Sequence, residues 1–454
     1  NGGMEHTTLN LLYSRWLTID GNSPMHYSFY DANLSFFSNL SEKKALLFDF
    51  YTGSDHGAYG EQKINAAFSA NWGNTLAALH WKYMPLKSLT LHTKAYVSNY
   101  RNRFLLDYRE EEMKLPSRIT DIGITSSLEQ RWFTVGIEGV CHLIRPQSFQ
   151  YEGSRSLDRN DGMLQRAFEL TGYGNVDYPL SDDGEWQASL GYALRHQFLF
   201  QAGFSDIGLP TEFWFSSEKG LPPQYAHEVT GSASRTLCRG GLVISAEVFH
   251  RRLYNQVSYR NTMLDLYNAA FDLQEALMSG DGKNYGFSLM LNKCSGKLTG
   301  WLSYTFTRAQ RSFDDIGNGI IFPANHERPH ELSGVLSYFL GKHWDIGATI
   351  VYSSGTPYTP AESVYLINGN LLVIYGEYNS ARLNHYFRLD LSINYKWKNR
   401  RGVEQGVNLS AYNVTCHKNE LYYYLSTAKG NRYAYKPMSF ILSIMPSLSY
   451  YLRF

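Results

Sequence analysis

The residues best suited to chemistry lie in a handful of short stretches. Asn325–His330 reads NHERPH and sets two histidines and a glutamate close together. Imidazole and carboxylate bind metal when they converge. His326 and His330 would share one face of a helix, but Pro329 forbids a helix through them, so the stretch reads as the start of a strand. His250–Gln256, HRRLYNQ, offers His250 and Arg251 as a cationic grip for a substrate near an outer rim. The competing reading is that these charges line a polar interior and pair with carboxylates there, because ionisable groups avoid lipid. Phe213, Trp214 and Phe215 could stack on a sugar or flat cofactor, or simply pack on other aromatics. SSGTPYTP, Ser353–Pro360, places Tyr358 in a loop base where Gly and Pro already explain the chain reversal. DRND (158–161) and SDDG (181–184) carry the oxygens calcium needs, yet neither completes a coordinating loop.

Other chemistries find little support. There is no GxSxG, no phosphate-binding glycine loop and no nucleophile–base pair, so the protein is not expected to be an enzyme. No metal and no cofactor is expected. Cys141, Cys238, Cys294 and Cys416 form no CxxC pair, which argues against zinc or a disulfide framework. Cys238 and Cys294 both fall near short turns, leaving one bridge open. A net charge of +1 offers no basic surface for nucleic acid and no acidic excess for disorder.

The elements that must position these residues are strands. Arg388–Trp397 reads RLDLSINYKW, with Leu389, Leu391, Ile393, Tyr395 and Trp397 alternating against Arg388, Asp390, Ser392, Asn394 and Lys396. Period-2 alternation marks a strand with one apolar and one polar face. A charged polar face and an apolar face ending in large aromatics suit a membrane barrel, with lipid outside and a watery or plugged lumen inside. Composition agrees. The 454 residues include 35 Tyr, 25 Phe and 9 Trp, or 15% aromatics, against only 43% hydrophobics in total. A helical membrane protein needs runs of about 20 apolar residues, and none occurs.

Read in order, the chain gives hairpins with short turns at one end and longer loops at the other. Strands are expected at Thr7–Thr18, Tyr27–Leu40, Ala45–Tyr51, Ile64–Met84, Leu89–Leu106, Arg118–Glu129 and Trp132–Ile144. Further ones follow at Phe168–Tyr178, Trp186–Phe204, Ala226–Leu237, Leu242–Tyr259, Tyr285–Leu291 and Leu298–Thr307. The last are Glu331–Phe339, Trp344–Tyr352, Leu383–Trp397, Val407–Tyr424 and Ser439–Phe454. GSDHGAYGEQ, Asp107–Lys114, Arg145–Asp161, Ser205–Pro223 and Ser353–Ala381 read as loops. Asn261–Lys283 is a loop with a helix-like patch. The total, about eighteen strands, is an all-β, antiparallel, transmembrane barrel of the outer-membrane kind. NGGMEHTT lacks the features of a signal peptide, so the sequence is expected to begin after processing or inside a longer chain.

Several blocks, in order, carry a family resemblance across the later two-thirds of the chain. They are LPTEFWFSSEKGLPPQYAHEVTGSASRTL (209–237), ISAEVFHRRLYNQVSY (244–259) and LTGWLSYTFTRAQRSFDDIGNGIIFPANHERPHELSGVLSY (298–338). VYSSGTPYTPAE (351–362), NSARLNHYFRLDLSINYKW (379–397), LSAYNVTCHKNELYYYL (409–425) and MPSLSYYLRF (445–454) follow. Together they resemble the barrel of the TonB-dependent outer-membrane transporters, and within these the group with a carboxypeptidase-regulatory-like domain before the plug. Leu448, Tyr450, Leu452 and Phe454 resemble the C-terminal signal that such barrels present to their insertion machinery. The resemblance implies a barrel of about 22 strands around a plug. The plug and its TonB-contacting segment have no counterpart in this sequence, and TTLNLLYSRWLTIDG looks like the family's third strand.

Residues 1–454 are therefore expected to form a single transmembrane β-barrel domain in a Gram-negative outer membrane. The implied function is energy-coupled import of a scarce nutrient: a siderophore, cobalamin, glycan or peptide. The implied partners are the TonB complex, outer-membrane lipids, the barrel-insertion machinery and a surface lipoprotein. Two alternatives stand beside it: a plug-free porin, and a barrel that scaffolds a lipoprotein.

Overall fold

The structure is a computed structural model. It describes residues 2–453 except 9–17, 20–22, 62–65, 109–110, 146–149, 153–163, 182–184, 203–212, 218–220, 260–276, 368–369, 399–401, 429–431 and 440–443. Eighteen strands carry the architecture. In chain order they are β1 (Gly2–Thr8), β2 (Ser23–Ser41), β3 (Lys44–Glu61), β4 (Ala66–Leu86), β5 (Leu89–Tyr108) and β6 (Glu111–Gln130). Then come β7 (Phe133–Arg145), β8 (Gln165–Pro179), β9 (Trp186–Gln197), β10 (Gln224–Leu237), β11 (Leu242–Tyr259) and β12 (Leu277–Lys293). The series ends with β13 (Leu298–Ser312), β14 (His330–Leu340), β15 (Trp344–Ser353), β16 (Tyr386–Lys398), β17 (Glu404–Tyr412) and β18 (Met445–Arg453). No helix among the described residues is long and apolar enough to cross a membrane, which says nothing of strands.

The chain divides into two compact units. The first comprises 1–175, 193–203 and 211–226. In it β1 to β7 pair antiparallel, each with the next. The second comprises 176–192, 204–210 and 227–454, and β11 to β18 form the same kind of meander. β1 pairs with β2 and β18 with β17, and no ladder among the described residues closes the sheet.

The alternation seen in RLDLSINYKW sorts two environments. Leu391, Ile393 and Tyr395 sit opposite Ala348, Ile346 and Trp344 on one side and Ala411, Leu409 and Val407 on the other. That face stays exposed: Leu409 is 55% accessible and Leu448 73%. Apolar surface on this scale, repeated strand after strand, is unfavourable in water and suited to acyl chains. The opposite face pairs its own charges. Lys396 Nζ donates to Asp345 at 2.9 Å, Asn394 donates to Asp345 at 3.2 Å, and Arg388 Nε lies 3.1 Å from Asp390. At the short-turn end Trp344, Tyr395, Trp397 and Tyr450 meet in sequence, with ring centroids 4.7, 5.5 and 6.4 Å apart. Amphipathic rings of this kind settle at a water–lipid boundary. Gly300 lets β13 and β14 approach: with φ +143, a Cβ there would lie 2.0 Å from the Val335 carbonyl oxygen.

Several boundaries differ from expectation. GSDHGAYGE is strand, not loop: β3 runs to Glu61, held by Tyr27–Asp55 and His56–Asn71 hydrogen bonds. β5 and β6 likewise extend into the segment expected to loop at Asp107–Lys114. Above hydrocarbon both faces of a strand meet water, so the ladder continues after the alternation has gone. Leu277–Lys283 is the start of β12 rather than part of a loop; the rest of the helix-like patch, to residue 276, lies outside the described residues. Of the expected first strand, only Thr7, Thr8 and Thr18 are described. Val407–Tyr424 breaks after Tyr412, where buried Asn413 turns the chain with φ +52 and takes an amide bond to Asp390. A separate hairpin, Glu420–Ala428 with Arg432–Ser439, then precedes β18. Cys238 and Cys294 are unbridged.

Candidate ligand-facing rim

The long-loop ends of β13 to β16 converge on Glu327, which is 1% exposed. One carboxylate oxygen accepts the Ala309 amide at 2.8 Å. The other accepts Arg308 Nη1 at 3.3 Å and Arg382 Nη2. Arg382 Nη1 also donates to the carbonyls of Glu327 and Gly355, each at 3.1 Å. A buried carboxylate is costly unless cations and donors surround it, and here two guanidinium groups and a backbone amide do so. Buried Asn379 adds a second clasp: its side-chain amide donates to Pro323 O at 2.9 Å and Asn325 Oδ1 at 2.6 Å, and its backbone amide to Thr359. Phe313, Phe322, Met278 and Tyr378 pack below. Gly355 is required, since a Cβ there would lie 1.7 Å from Leu383 O. Three segments far apart in sequence, 313–329, 354–360 and 376–385, are thereby fixed as one loop base.

The two histidines of NHERPH part company in this arrangement. His330 shares a 2.9 Å hydrogen bond with the Tyr304 hydroxyl. His326 stays among the loops. Desolvation, then the charge of Arg311, holds its imidazole below the usual histidine pKa against the opposing pull of Glu327. Among the described residues no group of three or more His, Cys, Asp or Glu is placed to hold a metal ion.

HRRLYNQ is split by the strand alternation. Arg251 lies on the polar face and grips Glu228 bidentately, Nη2 at 2.8 Å from both oxygens and Nε at 3.1 Å from one. Arg251 sits opposite Asn284 in register, and Asn284 accepts Arg311 Nη1 at 2.8 Å. His250 lies on the other face, exposed, opposite Tyr285. The sequence neighbours His250 and Arg251 therefore cannot act on one ligand from one side.

Tyr358 stands on the rim, its ring stacked on Tyr423 at 5.0 Å. Burial, followed by the charge of Glu420, pushes both phenols above their usual range. Glu420 also holds Asn384 through a 2.7 Å side-chain bond and a 3.0 Å amide bond. Phe213, Trp214 and Phe215 are not in a loop. Their backbone pairs with Phe200–Ala202 in a short hairpin, and the next residue, Ser216, is buried against Gln165. Leu448, Tyr450 and Leu452 are exposed together on the apolar face, while Phe454 lies outside the described residues.

Sequence reasoning missed Arg382, Asn379, Arg308 and Glu228. Glu327 was in view only as a metal ligand. No spacing rule links Glu327 to Arg382, 55 residues away; only a rare buried-carboxylate environment marks the pair, and burial is tertiary. What the rim can do is present guanidinium groups to a ligand. Arg308 and Arg382 are engaged by Glu327 and Arg251 by Glu228, while Arg311 donates to the neutral Asn284; Asp314, Asp315, Glu377 and Glu420 stand in the same loops, so the rim is a mixed array of charges. A separate cavity of about 480 Å³ in the first unit, in the short-turn half of its strands, is walled by Phe37, Leu46, Leu47 and Trp81 together with His80 and His92.

No family model matches the chain, and no curated protein sequence does. Solved structures do. The ferric yersiniabactin uptake receptor FyuA from Yersinia pestis superposes with a TM-score of 0.59 at 11% identity, over 95% of this chain and 62% of that one. The ferric-catecholate import receptor Fiu from E. coli K12, in its closed form, gives 0.55 at 11% identity, over 94% and 65%. The ferric preacinetobactin receptor BauA from Acinetobacter baumannii gives 0.54 at 10%, over 95% and 64%. The chain thus spans less than two thirds of each of these receptors. The likeness defines the class of fold: an all-β, antiparallel barrel of the kind those outer-membrane receptors have. The resemblance read from the sequence is borne out at the level of that fold.

Proposed function

We propose that this chain is the barrel of a TonB-dependent transporter in a Gram-negative outer membrane, importing a scarce nutrient by ligand-gated, proton-motive-force-coupled uptake. On this reading residues 1–454 act as one barrel domain. The exposed apolar face is the lipid seal, the paired charges line a polar tunnel, and the clasped loops are the ligand-facing rim. The partners are the TonB complex acting through a plug, outer-membrane lipids, the insertion machinery and a surface lipoprotein. The chemistry is gated passage, with no bond made or broken.

The observation that carries the reading is the conjunction of a barrel fold like that of outer-membrane receptors with strands that expose one apolar face and pair charges on the other. Arg311, whose guanidinium donates to the neutral Asn284, suits an anionic nutrient, and siderophore chelates meet that description better than neutral glycans. Arg251 and Arg311 are the contact residues proposed, with Tyr358 as an aromatic platform; Arg382 holds the loops that carry them.

The test is uptake by whole cells producing the full protein. Accumulation of a radiolabelled ferric chelate should stop when a protonophore collapses the proton gradient. Accumulation that continues unchanged without the gradient would instead indicate a passive channel. Arg311→Ala should weaken ligand binding about 10-fold or more, in keeping with the loss of one charge-assisted contact.

A further inference from the structure

The apolar face of the second unit changes character along its strands in a regular order. Register sets the rows. Ile244, Leu291 and Leu302 form an aliphatic row, followed by Ala246, Leu289 and Tyr304. Next come Val248, Phe287, Phe306 and His330, with Phe287 and Phe306 stacked at 5.7 Å and Phe306 and His330 at 5.5 Å. Beyond them lie His250, Tyr285 and Arg308, then Arg252 and Lys283, opposite each other. His250, Arg252, Lys283 and Arg308 are all exposed. Asp281 is the one carboxylate of β12 further out on this face, and it accepts the Asn255 amide.

Aliphatic, aromatic, then cationic is the order met on leaving a hydrocarbon layer through its headgroups. Arg252 and Lys283 lie on the face opposite the one that holds Arg251 and Arg311, so the ligand path leaves them unused. Arg308 is already committed to Glu327, and His250 is at most partly charged at neutral pH. Arg252 and Lys283 remain as a facing pair, with the Arg252 guanidinium 5.3 Å above the Tyr254 ring.

Resting on the membrane-barrel reading, we propose that Arg252 and Lys283 form a headgroup site on the outer wall for the phosphate of an anionic membrane lipid, with Tyr285 and Phe287 packing on its acyl-chain side. Charge complementarity selects the occupant: two adjacent cations at the height of the headgroups, above a band of rings. A bound lipid would brace β11 and β12 directly below the loops that carry the rim.

The experiment places the purified protein in nanodiscs of phosphatidylcholine alone, or with one fifth of the lipid replaced by phosphatidylglycerol. Retained lipid is counted by native mass spectrometry after release into detergent. The protein should retain phosphatidylglycerol over phosphatidylcholine. Arg252→Gln with Lys283→Gln should lower that preference about 25-fold, since each cation near an anionic surface is worth a factor of about five. Arg251→Gln, one position along the strand but on the other face, should leave it unchanged. Equal retention of both lipids overturns the site, as does an unaltered preference in the double variant. Inorganic phosphate displacing the lipid at equal concentration would make it a soluble-anion site and overturn the lipid assignment. Failure to enter any nanodisc is a separate outcome: it removes the membrane reading itself.

Discussion

The wall of β15 to β18 and the rim above β13 to β16 obey different physics. In the wall each residue's environment follows from its parity. Ile393 meets the outside, Asn394 the inside, and the inner charges are satisfied by neighbours on adjacent strands, as with Lys396 and Asp345. In the rim parity means little. Glu327 is buried through contacts with Arg308 and Ala309 on β13 and with Arg382 from the segment before β16. The wall is repetitive and tolerant, with stability spread over many similar pairs. The rim is concentrated, and a few side chains hold it.

The sharpest test of that contrast is Glu327→Ala. It strands two guanidinium groups and an amide, and breaking a buried ion pair from one side costs about 3–5 kcal/mol. Limited proteolysis should then cut within 313–329 and 354–385 while leaving β15 to β18 intact. A uniform loss of resistance across the whole chain would mean that rim and wall are one cooperative unit.

Ile393→Lys is the matching blow to the wall. A lysine facing lipid near mid-strand costs about 2–4 kcal/mol, read as a fall in the denaturant midpoint of the lipid-embedded protein. Lysine at Ser410, on the polar face, should cost much less. Equal losses would undo the assignment of faces.

Gly355→Ala forces a Cβ into the Leu383 carbonyl and should cost about 1–3 kcal/mol as overpacking, with ligand affinity falling alongside. Lys396→Met should cost under about 1 kcal/mol, because half-exposed ion pairs contribute little. A larger loss would show that the polar face of the wall is as tightly coupled as the rim.

The smallest effect expected is a dependence on pH. His326 has a depressed pKa in the folded state, so below the ordinary histidine value of 6.5 the unfolded chain takes up a proton that the folded rim resists. Rim stability should therefore fall as pH drops from about 6.5 toward the depressed value. His326→Gln should remove that slope in a proteolysis series run from pH 7.5 to 5.

Much of the wall was legible beforehand. Leu242–Tyr259 was expected as a strand at the bounds it has, and the opposed faces of Arg388–Trp397 were written in its alternation. The errors cluster above the apolar band. GSDHGAYGE reads as loop because its polar character hides a continuing ladder, and Leu277–Lys283 does so because it closes a helix-like patch. Of the candidate site, Arg251 was seen with its two possible fates, and the structure gives it a carboxylate partner in Glu228. His250 was grouped with it by adjacency, which a strand turns into separation.

What the sequence alone determined is the class of fold and which residues share the exposed apolar face, because a two-residue period is a local rule that each strand obeys by itself. What only the tertiary structure decided is the rim: that Glu327 would be buried, that Arg382 would reach it across 55 residues, and that Asn379 would clasp the adjoining loops. Those contacts depend on where unrelated segments end up in space, and no periodicity in the chain encodes that.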